Sequence, residues 1–108
     1  MSIIGRVLTA MVTPFHNDGS VNYMQAVHLA DALITSGSDG VVISGTTGEA
    51  PTLTKSEKTQ LFMEIKQSLG GRGCVIAGTG TYDTAGSIEL SRMAEETGVD
   101  ALLLVVPY

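Results

Sequence analysis

Four short apolar runs punctuate the chain: VLTAMVT at 7–13, GVVIS at 40–44, CVIAG at 74–78 and ALLLVVP at 101–107. None of them alternates cleanly between apolar and polar residues. Runs of Val, Ile and Leu without alternation predict strands buried on both faces, the mark of a parallel sheet. Between the runs, apolar residues recur at helical spacing. From Tyr23 to Ser36 the pattern sets Val27, Ala30 and Ile34 on one face, with Asn22 placed to cap the start and Gly37 just past the end. A second helix opens at TKSE, where Thr54 and Glu57 form a capping box; it turns Leu61, Phe62, Ile65 and Leu69 inward and stops at GGRG. A third opens at Asp83 or Thr84, buries some of Ile88, Leu90 and Ala94, and closes at Gly98.

The predicted order is β-α-β-α-β-α-β, an α/β chain whose strands begin about every 30 residues, the length of one βα unit. Right-handed crossovers then place the helices over one face or wind them around a sheet. Composition agrees with a packed chain: 44% of the 108 residues are hydrophobic and 16% charged, which excludes a disordered chain or a coiled coil. Six basic residues against eleven acidic ones give a net charge of −5. With no basic cluster, nucleic acid and anionic membrane surfaces are poor partners. Cys74 is the single cysteine, so no internal disulfide can form, and a buried, inert thiol in a reducing compartment is expected. The first apolar run is too short for a signal segment or a membrane span, so the expected location is cytoplasmic. His16 and His28 stand apart from each other, and no metal site is expected.

Unusual residues collect where the predicted strands end. They read Thr13-Pro14, Gly45-Thr46-Thr47-Gly48-Glu49, Gly78-Thr79-Gly80-Thr81 and Pro107-Tyr108. Parallel α/β proteins bind ligands at the carboxyl ends of their strands. The bland alternative is that Gly and Thr only make tight βα turns, their hydroxyls bonded to the local backbone. A phosphate loop is excluded: Gly78 and Gly80 supply a Gly-x-Gly, but Asp83 stands where the third glycine belongs and would repel a pyrophosphate. The Gly-Thr-Thr-Gly turn suits a small carboxylate such as an α-keto acid, because glycines permit close backbone approach and two hydroxyls add donors that also accept protons. Glu49 reads as an anchor of this loop.

AMVTPF, SGTTGE, VIAGTGT and GVDALLLVVPY, in that order and spacing, resemble the dihydrodipicolinate synthase family, grouped with N-acetylneuraminate lyase and related pyruvate aldolases. The resemblance implies a TIM-type (βα)8 barrel of roughly 250 residues or more, of which residues 1–108 would be a partial domain, the amino-terminal half with the first four strands. It also implies a lyase of lysine and diaminopimelate biosynthesis that needs no cofactor. A lysine on the sixth strand forms a Schiff base with pyruvate, and the enamine attacks L-aspartate 4-semialdehyde. Thr46 matches the threonine of the proton relay, and Thr47 the residue whose hydroxyl and N–H hold the pyruvate carboxylate. Tyr108 matches a tyrosine packed at a subunit interface, which implies a homo-oligomer. The Schiff-base lysine has no match here: Lys55, Lys58 and Lys66 fall on or at the start of the second helix, facing solvent, so the chain alone is expected to lack turnover. Where family members respond to free lysine, the positions matching the effector's two histidines and its acid are Lys55, Lys58 and Gly86. Two other readings stay open: a different pyruvate aldolase of the superfamily, such as N-acetylneuraminate lyase, and a non-catalytic half-barrel that assembles or binds small anions.

Overall fold

The computed structural model describes residues 6–44, 53–79 and 84–104. Seven elements alternate within them: β1 (Leu8–Ala10), α1 (Tyr23–Thr35), β2 (Gly40–Ile43), α2 (Lys55–Leu69), β3 (Cys74–Gly78), α3 (Thr84–Glu96) and β4 (Ala101–Leu103). The strands form one parallel sheet in chain order, with Ala10 opposite Val42, Ile43 opposite Ala77, and Gly78 opposite Leu103. Each strand therefore joins its neighbour through a helix, and the helices pack side by side, α1 on α2 and α2 on α3. The α/β expectation holds.

Local signals set the helix limits. Asn22 Oδ1 accepts from the Gln25 amide at 3.0 Å, and α1 is followed by Gly37 at φ 119°, a conformation that favours glycine. The capping box at α2 is formed: the Glu57 amide donates to Thr54 Oγ1 at 3.1 Å, and the Thr54 amide donates to Glu57 Oε1 at 2.8 Å. Gly70 ends α2 at φ 55°.

The helices bury their apolar stripes on one face of the sheet. Leu61, Phe62, Ile65 and Leu69 of α2 pack with Val41 and Ile43 of β2 and Val75 and Ala77 of β3. Burying a side chain such as Phe62 contributes about 1.5–3 kcal/mol. On α1 the stripe is centred on Ala26 and Ala30, with Val27 and Ile34 only partly buried beside it. On α3, Leu90 and Ala94 are buried while Ile88 is exposed. Gly40 is required where β2 meets β3, because a Cβ there would lie 2.7 Å from the Cys74 carbonyl oxygen.

Burial on both faces holds for β3 alone, all five of whose residues are buried. Leu8 of β1 and Leu102 and Leu103 of β4 are exposed. The physical reason is their place: β1 and β4 are the margins of the sheet, and among the described residues the helices cover only one face. The strands are also shorter than the apolar runs, ending at Ala10 and Leu103; positions 105–107 of the expected fourth strand lie outside the described residues.

Two aspartates pin the amino ends of the marginal strands. Asp39 Oδ2 accepts from the Arg6 and Val7 amides at 2.9 and 2.8 Å, and these bonds hold its carboxyl below the usual range. Asp100 Oδ2 accepts from the Val75 amide at 2.8 Å and from Lys66 Nζ at 2.9 Å, tying β4 to β3 and α2.

Candidate functional site

The carboxyl ends of the strands bring buried hydroxyls together on adjacent strands. Thr13 follows β1, Ser44 follows β2 and Thr79 follows β3; all three are buried. The ladder between β2 and β3 ends at Ile43 opposite Ala77, and Ser44 leaves it with φ +61°. The Thr79 amide donates to the Leu103 carbonyl at 3.1 Å, and its Oγ1 accepts from Ser91 Oγ of α3 at 2.9 Å. Thr79 is thus locked by β4 on one side and α3 on the other, which defines that edge of the site.

Ser44 is the anomaly. It is 1% exposed, its φ is +61°, and its Oγ has no hydrogen-bond partner. It is the one described residue other than glycine with positive φ. From Ser44 the chain enters the Gly-Thr-Thr-Gly segment. Thr46 and Thr47, the expected relay and carboxylate-binding residues, lie outside the described residues, as does Glu49. The ends of that segment are fixed on both sides: Ser44 is buried in the sheet, and Leu53 is buried just before the Thr54 cap.

All three lysines of the chain sit on α2, and none stands at a strand's carboxyl end. The expectation that all of them face solvent is corrected for two. Lys66 is held in its ion pair with Asp100, and Lys58 is 6% exposed. Lys58 continues the stripe of Leu61, Phe62, Ile65 and Leu69 by one turn toward the amino end, so helical spacing puts it on the core side. Extending that stripe backward through position 58 is the signal that would have found this. Burial lowers the Lys58 pKa, and the nearby Lys55 ammonium lowers it further. Lys55 itself pairs with Glu89 of α3. Cys74 is buried as expected, and its thiol is pushed up chiefly by burial, which keeps it protonated and inert.

A second concavity, of about 400 Å³, runs between α3 and β4, lined by Ile88, Ser91, Arg92, Glu95, Leu102 and Leu104 among others. Its lining mixes the apolar Ile88, Leu102 and Leu104 with the hydroxyls of Thr84, Ser87 and Ser91 and the charged Arg92 and Glu95, and the Ser91 hydroxyl is already given to Thr79. The hydroxyl-bearing strand ends are the better candidate. Hydroxyls can donate to a small anion and pass protons, and among the described residues no lysine stands at these strand ends for covalent catalysis.

Comparison with known proteins places this arrangement. A profile of the Dihydrodipicolinate synthetase family matches residues 3–108. The chain belongs to that family. It is 61% identical over 104 residues to the 4-hydroxy-tetrahydrodipicolinate synthase of Desulforamulus reducens, covering 96% of this chain and 35% of that protein. Among solved structures of the family, the dihydrodipicolinate synthase of Bacillus anthracis superposes with a TM-score of 0.95 at 44% identity, over 100% of this chain and 37% of that one. The chloride-inhibited synthase of Acinetobacter baumannii, solved in complex with pyruvate, superposes with a TM-score of 0.93 at 42% identity, over 98% of this chain and 36% of that one. The chain thus spans little more than a third of the length of these synthetase-family proteins, and its sheet matches the amino-terminal part of their TIM barrels.

Proposed function

We propose that residues 1–108 form the first four strands of a TIM-type barrel that condenses pyruvate with L-aspartate 4-semialdehyde, the reaction of 4-hydroxy-tetrahydrodipicolinate synthase. The observation that carries this is the family match across residues 3–108. Hydroxyls gathered at the ends of β1, β2 and β3, where a parallel α/β fold binds ligands, support it.

In this reading Thr47 holds the pyruvate carboxylate through its hydroxyl and amide, and Thr46 passes protons to and from the reacting carbon and oxygen. The Schiff-base amine comes from a lysine outside residues 1–108, because Lys55, Lys58 and Lys66 are committed to α2. The enzyme works in the cytoplasm as a homo-oligomer and needs no added cofactor.

The test is the intact gene product incubated with pyruvate and borohydride, followed by peptide mapping and by an assay with L-aspartate 4-semialdehyde. One stoichiometric adduct, on a lysine outside this span, together with semialdehyde-dependent turnover, is expected. Absence of an adduct, or turnover with N-acetylneuraminate in place of the semialdehyde, would refute the assignment.

A further inference from the structure

We draw no further inference here: the strongest candidate, the groove between α3 and β4 lined by Ile88, Arg92, Leu102 and Leu104, carries nothing, because the occupant it fits is the next helix of the barrel already proposed and its docking there restates that fold.

Discussion

Replacing Asp100 tests how the end of the sheet is held. Its Oδ2 takes the Val75 amide at 2.8 Å and Lys66 Nζ at 2.9 Å, while its own amide donates to the Val75 carbonyl at 2.9 Å. The Lys66 and Asp100 side chains are 22% and 10% exposed, so the pair is largely but not wholly out of water. Breaking a fully buried pair costs about 3–5 kcal/mol, and an exposed one contributes about 0–1 kcal/mol. Lys66 also has a fallback in the Gly70 carbonyl at 3.4 Å, which reduces the cost of losing its partner. Asp100→Asn keeps an oxygen for the Val75 amide and loses the charge, so it should cost about 1–2 kcal/mol. Asp100→Leu removes the acceptor as well and strands both donors, for about 2–4 kcal/mol. For a domain of this size each kcal/mol lowers the melting temperature by about 4–8 °C. Urea unfolding of the 108-residue chain, followed by circular dichroism, measures both variants. Adding Lys66→Met and the Lys66→Met/Asp100→Asn double variant closes a thermodynamic cycle. A coupling below about 0.5 kcal/mol would mean that the pair is an ordinary surface contact, and that β4 is held by its backbone ladder alone.

In the intact gene product, Thr46→Val should cut turnover by about 10²–10⁴-fold with little change in the KM for pyruvate, since proton transfer contributes on that scale; Thr47→Val should chiefly raise that KM, and steady-state kinetics showing the reverse pattern would contradict the assignment. Free lysine should not inhibit the intact gene product, because the positions matching the effector's two histidines carry Lys55 and Lys58 and the one matching its acid is Gly86, so a cationic effector would meet like charge worth about 1 kcal/mol at contact even in water. Calorimetric titration with L-lysine beside initial rates checks this, and saturable binding with inhibition would contradict it. Asp39 has its folded pKa depressed by the Val7 and Arg6 amides, so its contribution is complete above the unfolded carboxylate value of about 4 and is lost as pH falls through the folded value. Asp39→Asn should therefore flatten the acid limb of a stability-against-pH curve below about pH 4, and an unchanged limb would show that the two amide bonds do not persist in solution.

Much of this chain could be read from its residues because the signals are local. A capping box needs only Thr54 and Glu57 three residues apart, a glycine after α1 or α2 accepts a positive φ that others resist, and a run such as CVIAG can be little other than an interior strand. The ordered motifs around SGTTGE carried the family in the same way. What sequence could not decide is whatever depends on the far side of a contact. Similar apolar runs became a fully buried β3 and exposed β1 and β4, because burial is a property of neighbouring layers and the margins of the sheet have fewer. Lys58 reads as a solvated charge until α2 is docked, when helical phase turns it toward the core. Ser44 looks like one more small residue before a glycine; only the folded chain gives it a left-handed backbone and a hydroxyl sealed from water without a partner, because both follow from how the end of β2 is closed in by the rest of the molecule.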